Sequence, residues 1–587
     1  MKNLVKLVTL ALLSALLALP INGQASQAKV NWLGANADWQ PQDYFDSRGI
    51  IKAHFADDRL VLSARLLTRH NNYGRGEVLL DTKYFTEVAC QWPLDFSERE
   101  LTVEVEVPDG FAGTESDPSR LYLFLKDARH KSFYGEATNV TRGGKFRLTL
   151  KLPASAFSSP AVEPAFNPAS IRLIGIKFEL GAAPLNKYKG PLYLTSVSVN
   201  PPFMASTPPD LPTSTPWPIL SPEDKIEVRN GSFYLNDQKW FIVGANWRLI
   251  EYGQNFGVTA WFPSGNGVAK HSNFIRLNLD TARRAGLKLL RVGLLDDGRV
   301  MFDQAGQVIG YDETFRQDLR TLLDLAQQAG IKIEFTLLDF LIAGQGHLSD
   351  GVWLRGRRNV IVDPALRADF RAKFLVPFLH DFGNHPALFG FDLINEPEWL
   401  ISRAECGGWE DYKDEPDQPS TKAEEPVPYE TLQAFLAECA SDIRQLAPNK
   451  LLTVGVSAKF IPLVSNLTIL DYLAPHHYHW MDGLPSYLPS LKGRTWTLEE
   501  FPTKFASGAL PGSIREYLDL VFTLRGAGAL FWNLTPEIDD KTFSCLERAA
   551  QLVEIRHWVE RDIYQSQPLV QGSSASLRED DRVDLRR

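Results

Sequence analysis

Cysteine is scarce in this chain, with four residues among 587. Cys90, Cys406, Cys439 and Cys545 form no C-x-x-C motif, and no H-E-x-x-H motif occurs, so the common spacings of a zinc site are absent. We therefore expect no metal and no cofactor. In an exported protein the cysteines could pair in more than one way, and we expect Cys406 to pair with Cys439 because both flank one long insertion.

An excess of basic residues is also lacking. Lys and Arg together number 62 and Asp and Glu 71, which gives a formal net charge of −9. Because no basic run occurs either, the sequence argues against a nucleic-acid partner. We expect a monomer whose partner is its own substrate.

Long apolar runs are confined to the amino terminus. Lys2 and Lys6 precede an apolar run from Leu7 to Leu19, and small residues follow as far as Ala25. This pattern is typical of a secretory signal peptide, and the run is short for a membrane span. It predicts a mature protein without a membrane span that is secreted, periplasmic or at the cell surface. An uncleaved anchor is the alternative.

Residues 26–202 are predicted to be all-β. Leu101–Val107 alternates strictly between apolar and polar residues, as do Arg147–Leu152 and Leu192–Val199, which is typical of half-buried strands. Turn-forming segments such as Pro108–Gly110 separate the strands, and no long helical period intervenes. The pattern predicts a β-sandwich.

The strand pattern of this segment loosely resembles the jelly-roll carbohydrate-binding modules that are often attached to secreted glycosidases. The resemblance carries no signature motif. It implies that exposed aromatic residues could stack on sugar rings, although positions in the core or on the ordinary surface are the alternative. The candidate aromatic residues are Trp92, Tyr122, Phe133 and Tyr134.

Composition divides the chain further. Pro, Thr and Ser dominate residues 203–222, which predicts an extended, stiff linker. The polar and charged residues 566–587 are predicted to be disordered. The predicted divisions are a signal peptide at 1–25, the sandwich at 26–202, the linker at 203–222, a barrel at 223–565 and the tail at 566–587.

Strand and helix patterns alternate after the linker. Apolar residues recur at helical spacing in Glu313–Ala329, Ala365–Leu379, Tyr429–Leu446 and Ile514–Leu524, and Pro377 should end or kink the second helix. Apolar strands between helices imply a parallel sheet, and eight of them imply a closed barrel. The predicted strands are Trp240–Ala245, Leu287–Leu294, Ile331–Leu338, Leu388–Ile394, Leu451–Val456, Tyr472–Tyr478, Thr495–Phe501 and Gly528–Asn533. The expected fold class is therefore multidomain, a (β/α)8 TIM barrel preceded by an all-β jelly-roll-like sandwich.

The fourth predicted strand ends abruptly. Phe391, Leu393 and Ile394 are apolar, and Asn395, Glu396 and Pro397 follow them. Proline cannot continue a ladder, and barrels carry their chemistry at the carboxyl ends of their strands. An ordinary strand end with solvated polar residues is the alternative for this motif taken alone. The other strand ends bring further polar and aromatic residues to the same rim: Asn246, Arg291, Asp339, His476, Tyr478, Glu499, Glu500, Trp532 and Asn533.

In this order the rim residues resemble those of clan A glycoside hydrolases, most closely family 5, which includes many cellulases and β-mannanases. The resemblance covers about residues 224–562. It departs from the family pattern at Pro502, where glycine is usual, and at Leu337–Phe340, where many members have a His-Asn pair. The matching residues are Gly244–Trp247, Arg291, Asn395–Pro397, His476, Tyr478, Glu500–Phe501 and Trp532.

The resemblance implies a retaining mechanism, which needs two closely spaced carboxyl groups. It implies that Glu396 is the general acid/base, with a pKa raised in part by a neighbouring carboxylate. It implies that Glu500 is the nucleophile, held ionised and aimed by Arg291 and Tyr478.

The resemblance assigns supporting roles to four further residues. Asn395 would bind the sugar 2-hydroxyl, and His476 would contact substrate or the acid/base. Trp532 would form a stacking platform beneath the reacting sugar, because its ring faces suit a pyranose C–H face. Asn246 would support the site.

Two rim positions are ambiguous. Glu499 and Glu500 are adjacent, and strand alternation points them in opposite directions, so only one is expected to face the site. The family's nucleophile precedes an aromatic residue, which selects Glu500 and leaves Glu499 on the helix side or at the rim. Asp339 is open between substrate binding and a structural role.

Two long loops, 250–274 and 398–427, are expected to shape a substrate cleft. Aromatic residues in these loops and after strands three and six are candidate sugar subsites. They are Trp261, Phe262, Trp353, Trp399, Trp409 and Trp480.

Together these features predict an exported, retaining O-glycosyl hydrolase that cleaves a β-linked polysaccharide by double displacement and acts internally on the chain. β-Glucan, β-mannan and exopolysaccharide are all open as substrates. The alternatives are a transglycosylase with the same residues and a non-catalytic polysaccharide-binding protein on the same barrel. The intact pair of Glu396 and Glu500 counts against the binding protein.

Overall fold

A computed structural model describes most of the chain between residues 29 and 559. The described residues are 29–33, 37, 39–41, 49–67, 74–82, 93–127, 131–152, 166–181, 187–203, 224–248, 250, 255–258, 268–295, 301–303, 305–349, 352–401, 425–478, 481–503, 513–534 and 551–559. The predicted signal peptide, most of the linker and the tail lie outside them. No helix among these residues is long and apolar enough to cross a membrane.

The described residues before 204 form two antiparallel sheets. The first has the strand order β1-β4-β10-β6-β7, with β8 also paired to β6, and the second has the order β2-β3-β11-β5-β9. The strands are β1 (Trp39–Pro41), β2 (Ile50–Ala56), β3 (Arg59–Leu67), β4 (Arg75–Asp81), β5 (Glu100–Val107), β6 (Ser119–Asp127), β7 (Ser132–Tyr134), β8 (Thr138–Val140), β9 (Gly144–Lys151), β10 (Ile171–Glu179) and β11 (Lys187–Asn200).

One hydrophobic cluster draws on both sheets. Val103 and Leu192 come from the second sheet, and Val78, Leu123 and Ile174 come from the first. Alternate residues of each strand enter this cluster, as the sequence pattern predicted for Leu101–Val107. The all-β character is therefore observed in the described residues, whereas the jelly-roll resemblance stays a prediction.

The candidate aromatic residues of this part fall in different places. Phe133 belongs to the buried cluster, so it offers no exposed platform. Tyr134 lies on the opposite face of its sheet, where it stacks on Phe124 with ring centroids 4.9 Å apart. Tyr122 is half-buried, with Lys177 over its ring. Trp92 lies outside the described residues.

A parallel sheet forms the second part of the structure. Its order is β21-β20-β17-β16-β15-β25-β24-β23-β22. The strands from residue 226 onward are β12 (Ile226–Arg229), β13 (Ser232–Leu235), β14 (Gln238–Trp240), β15 (Ile242–Asn246), β16 (Leu289–Gly293), β17 (Lys332–Thr336), β18 (His347–Ser349), β19 (Val352–Leu354), β20 (Leu388–Asp392), β21 (Leu451–Thr453), β22 (Gly455–Ser457), β23 (Ala474–His476), β24 (Thr497–Pro502) and β25 (Gly528–Trp532).

The two ends of this sheet meet in consecutive segments, β21 and β22, which are separated only by Val454. β21 pairs with β20, and β22 pairs with β23, so the two segments act as one interrupted fifth strand. Eight strand positions therefore surround a common interior, as in a TIM barrel. The predicted strands correspond to these positions, with ends that differ by a few residues.

A small antiparallel sheet, β12-β13-β14, lies at the amino-terminal end of the barrel strands. Its Phe233 and Trp240 pack against Phe389 and Tyr472. The resulting cluster buries this end of the barrel, so the carboxyl ends of the strands are left for the polar residues.

The helices of the barrel start and stop at recognisable signals. Asp312 accepts a hydrogen bond from the Phe315 amide, and Gly330 ends the same helix in the left-handed region at φ 69°. Two predicted helices, Glu313–Ala329 and Tyr429–Leu446, have the predicted bounds. The helices are α1 (Ser272–Ala285), α2 (Glu313–Ala329), α3 (Asn359–Val362), α4 (Pro364–Phe370), α5 (Val376–Phe382), α6 (Tyr429–Leu446), α7 (Ile461–Val464) and α8 (Ile514–Thr523), and residues 551–559 are also helical.

Two local expectations concern Pro377 and Cys439. Pro377 was expected to end or kink its helix, and a π-helical turn at Arg371–Leu375 interrupts the α-helix just before it, so that Pro377 lies in the first turn of α5. Cys439 is unpaired and fully buried in α6. The predicted pairing of Cys406 with Cys439 was therefore wrong, because Cys439 packs in the barrel core as a small apolar side chain.

Candidate active site

Glu396 occupies a specialised backbone position. β20 ends at Asp392, and Asn395 then bridges to Asp339 after β17. Glu396 itself lies in the left-handed region at φ 45°, which is costly for a residue with a side chain. Its amide donates to the Gly455 carbonyl at 2.8 Å, and Pro397 begins the next turn. These contacts hold Glu396 at the barrel mouth.

Glu499 and Glu500 both face the barrel interior. β24 pairs with β25 at Leu498 and again at Phe501, but the partners of these residues are only two positions apart, so β24 contains a bulge. A bulge breaks the alternation that otherwise separates adjacent side chains. The prediction that only one of the two glutamates faces the site, with Glu499 on the helix side or at the rim, was therefore wrong.

Arg291 on β16 links three carboxylates from two other strands, β20 and β24. Its Nη1 donates to Glu500 Oε1 at 2.5 Å, and its Nη2 donates to Asp392 Oδ2 at 2.5 Å. Its Nε lies 3.3 Å from Glu499 Oε2. The side chain is fully buried, and these carboxylates raise the pKa of Arg291 against the opposing effect of burial. A fixed positive charge therefore lies under the rim.

Glu500 is held from two sides. Arg291 contacts Oε1, and the Tyr478 hydroxyl donates to Oε2 at 2.8 Å. The contacts expected for Arg291 and Tyr478 are thus present. Two donors, one to each oxygen, fix the direction of this carboxylate.

His476 lies between two other carboxylates. Its Nδ1 is 3.0 Å from Glu396 Oε1, and its Nε2 is 3.0 Å from Glu499 Oε2. The ring also approaches Glu500, with Nδ1 3.5 Å from Oε2. Of the two contacts expected for His476, the one to the acid/base is therefore observed.

The electrostatics of Glu396 differ from expectation. Burial alone would raise its pKa, but the hydrogen bond and charge of His476, together with the Trp399 indole, lower the pKa of Glu396 to about 2. Burial alone would lower the pKa of His476, but Glu500, Glu396 and Glu499 raise it to about 10. The expectation of a raised pKa at Glu396 is therefore not met, because His476 and Trp399 outweigh the effect of burial.

Asn395 is oriented by both of its amide atoms. Its Oδ1 accepts from Arg291 at 2.7 Å, and its Nδ2 donates to Asp339 Oδ2 at 2.8 Å. Asp339 also pairs with Arg248 and accepts from the Leu341 amide. These contacts give Asp339 a structural position behind Asn395.

Asn246 lies beneath the same group and is fully buried. Its Nδ2 donates to the Glu499 carbonyl at 2.8 Å, and its Oδ1 accepts from Arg291 at 3.0 Å. It therefore ties β15 to the bulge of β24.

The predicted aromatic residues divide in the structure. Trp399 donates its indole N–H to Glu396 Oε2 at 3.1 Å, so it touches the site directly. Trp532 ends β25 and is half-buried. Trp353 donates to the Arg355 carbonyl in the β19 hairpin. Trp261, Phe262, Trp409 and Trp480 lie outside the described residues, as does most of both long loops.

Two buried carboxylates of the site, Asp392 and Glu334, were not predicted from the sequence. Asp392 accepts from Arg291 and from the Gly455 amide, and its place in an apolar strand was the available clue. Glu334 on β17 pairs with the Tyr472 hydroxyl inside the barrel. A charged residue in a buried strand is rare unless it is paired, and this rule could have found both carboxylates.

The spacing of the two proposed reacting groups is short. A carboxylate oxygen of Glu396, a ring nitrogen of His476 and a carboxylate oxygen of Glu500 lie within 4.8 Å of one another. Retaining glycosidases separate their carboxyl groups by about 5–5.5 Å, whereas inverting ones need about 6.5–9.5 Å to admit a water molecule. Such spacing would also suit a metal ion, but the facing atoms already have protein partners, so we identify no metal ligand.

The fold and site thus define a barrel with two acidic groups on strands four and seven, opposite each other at the carboxyl rim. No family model matches the chain. Among curated proteins, a mannan endo-1,4-β-mannosidase of Mytilus edulis is 28% identical over 183 residues, which are 31% of this chain and 46% of that protein. One of Cryptopygus antarcticus is 24% identical over 180 residues, which are 30% of this chain and 43% of that protein.

The chain therefore spans about half the length of the curated relatives that it matches. These relatives confirm the resemblance to family 5 glycoside hydrolases at the level of the β-mannanase type. Among solved structures, a β-mannanase from Mytilus edulis has a TM-score of 0.46 and 20% identity, and it covers 56% of this chain and 96% of its own. A β-1,4-D-mannanase from Cryptopygus antarcticus has a TM-score of 0.46 and 17% identity, covering 57% and 95%.

Proposed function

We propose that the protein is a retaining glycoside hydrolase that cleaves β-linked mannan at internal bonds. The observation that supports this most strongly is the position of Glu500, held between Arg291 and Tyr478 with Glu396 close by. A carboxylate that only bound sugar would need no such orientation by two donors. Mannan is the preferred substrate because both curated relatives carry that activity in their names.

In the first step Glu500 attacks the anomeric carbon, while Glu396 gives a proton to the leaving oxygen. The bond to the leaving sugar breaks, and a covalent glycosyl ester forms on Glu500. In the second step Glu396 takes a proton from water, and the resulting hydroxide displaces Glu500. The sugar keeps its original anomeric configuration because two inversions have occurred.

The other rim residues would support these two chemical steps. Arg291 and Tyr478 would orient the nucleophile, with one hydrogen bond to each of its oxygens. The second N–H of Asn395 would bind the sugar 2-hydroxyl, since Asp339 and Arg291 fix the rest of the amide. Trp532 would stack beneath the reacting sugar.

The remaining sequence-based predictions fit this activity. A signal peptide at 1–25 would export the protein, and the linker at 203–222 would connect a sandwich at 26–202 to the barrel at 223–565. We propose that the sandwich is a jelly-roll-like carbohydrate-binding domain. The enzyme would act as a monomer without a cofactor.

The test is reducing-sugar release by the mature protein from β-mannan, β-glucan and bacterial exopolysaccharide, with product sizes measured by mass spectrometry. We expect β-mannan to be cleaved to mixed oligosaccharides, and Glu396→Gln and Glu500→Gln each to abolish cleavage. Glu438→Gln is a matched control, because Glu438 pairs with Arg367 and Arg371 on the helices away from the rim.

Each alternative gives a different result. A transglycosylase would form products longer than its starting oligosaccharides. A binding protein would retain polysaccharide without releasing reducing ends. Release that persists in Glu500→Gln but is lost in Glu499→Gln would overturn the assignment of the nucleophile.

A further inference from the structure

His476 has a carboxylate at each ring nitrogen, with Glu396 at Nδ1 and Glu499 at Nε2. The side chain is fully buried. A protonated imidazole donates from both nitrogens, whereas a neutral one donates from only one and accepts at the other. If one ring nitrogen keeps its N–H bonded to its carboxylate, only the other nitrogen can exchange a proton with its own carboxylate.

Glu499 is well placed to accept a hydrogen bond from the Nε2–H group of His476. It is 1% exposed, and Arg291 Nε lies 3.3 Å from the same Oε2. The neighbouring Glu334 has a pKa raised well above its usual value by burial and by the charge and hydrogen bond of Glu499. Glu334 therefore favours its neutral form beside Glu499.

The backbone is also shaped around this contact. A Cβ atom on Gly455 would lie 2.5 Å from Glu499 Oε2 and 2.6 Å from His476 Nε2. Only glycine leaves room for the two side chains to meet at this position of β22. The close approach is thus built by three strands, β22, β23 and β24.

We propose that Glu499 is a positioning residue that holds His476 through Nε2, so that one proton passes between Nδ1 and Glu396 during turnover. This inference rests on the proposed glycosidase function, and it adds a residue and a proton source to it. Glu499 itself lies below the rim, and its carboxylate contacts the His476 ring and not Glu396 or Glu500.

The proton would leave His476 and return to it within one turnover. In the free enzyme the proton lies on Nδ1, and Glu396 is a carboxylate. When substrate displaces water, the charge pair becomes less favourable, so the Nδ1–H bond breaks and an O–H bond forms on Glu396. Glu396 then gives this proton to the leaving oxygen. In the second step Glu396 takes a proton from water and returns it to Nδ1.

His476 is surrounded by several charged and titratable groups besides its two direct partners. They enter from the strands and turns packed against it or against those partners. They are Glu500 and Tyr478, Arg291 and Asp392, Glu334 and Tyr472, and Glu398, Arg248 and Asp339 around Glu396.

The first experiment is the pH dependence of kcat/KM for Glu499→Gln against the wild type. Glutamine can still accept from Nε2 but carries no charge. We expect the alkaline limb of the profile to move to lower pH by about 1–3 units, as for loss of a neighbouring opposite charge. Glu438→Gln is the matched control, because it makes the same substitution on the helices away from the rim and should leave the limb in place.

A second variant and a second readout separate the possible failures. Gly455→Ala would push His476 and Glu499 apart without removing either, and it should move the limb in the same direction. Nitrogen NMR of histidine-labelled full-length protein needs no activity. We expect His476 to lose its proton near pH 10 in the wild type, in line with its pKa of about 10, and at lower pH in Glu499→Gln.

These measurements separate a failure of this inference from a failure of the proposed function. An identical His476 titration in wild type and Glu499→Gln would overturn the inference, as would an unmoved alkaline limb in an active, folded variant. The wild type could cleave no polysaccharide while His476 still loses its proton at lower pH in Glu499→Gln than in the wild type. That result would count against the proposed function alone.

Discussion

Tyr478→Phe should reduce activity without harming the fold. The substitution removes one hydroxyl, which donates to Glu500 Oε2 at 2.8 Å. A hydrogen bond to a charged group contributes about 1.5–3 kcal/mol. If this contribution is realised in the transition state, kcat/KM should fall about 10- to 150-fold.

The assay is initial-rate release of reducing ends at several substrate concentrations, with thermal unfolding measured on the same samples. Tyr311→Phe is a matched control, because the Tyr311 hydroxyl donates to Asp381 at 2.7 Å on the outside of the barrel. We expect the control to keep wild-type activity. A Tyr478→Phe variant that stays within twofold of the wild type would refute the view that this hydroxyl aims the nucleophile.

Four further outcomes follow from the structure. Arg291→Met should lower the free energy of unfolding by about 3–5 kcal/mol in urea titration, because the buried carboxylates would lose their positive partner. Asp318→Asn should cost about 1–3 kcal/mol, because Asp318 accepts from the Gly257 and Ala269 amides. Cys439 should react with a thiol reagent only after unfolding, since it is unpaired and fully buried. Thermal stability should be greatest between about pH 4.5 and 6.5, because the pKa values of Glu396 and His476 shift in opposite directions.

The stability window reflects opposite shifts of two groups. The pKa of His476 is raised from 6.5 to about 10, so its contribution is complete below pH 6.5 and is lost as pH rises through 10. The pKa of Glu396 is lowered from 4.5 to about 2, so its contribution is complete above pH 4.5 and is lost as pH falls through 2. Melting temperatures that rise steadily from pH 6.5 to 10 would contradict this pairing.

The barrel was predictable because its signals are local and repeated. Glu313–Ala329 and Tyr429–Leu446 follow the helical period so regularly that their ends were predicted correctly. The carboxyl rim then follows from topology, because parallel strands all end on the same side. Arg291, Tyr478 and Glu500 come together for this reason, although they are far apart along the chain.

The unpredicted features depend on pairing between strands. The bulge in β24 turns Glu499 inward, and no local pattern distinguishes it from a regular strand. The lowered pKa of Glu396 depends on its hydrogen bond with His476, which in turn contacts Glu499. Cys439 was assigned a partner from its place in the sequence, but its burial is decided by how α6 packs on the barrel.

Trapping the covalent intermediate tests the central claim most directly. A mannoside with fluorine at carbon 2 and a good leaving group slows the second step of a double displacement, so a glycosyl ester should accumulate. We predict that digestion and mass spectrometry will locate the added sugar on Glu500, with no accumulation in Glu500→Gln. A sugar attached to Glu499, or activity that continues with no ester and with inverted products, would contradict the account.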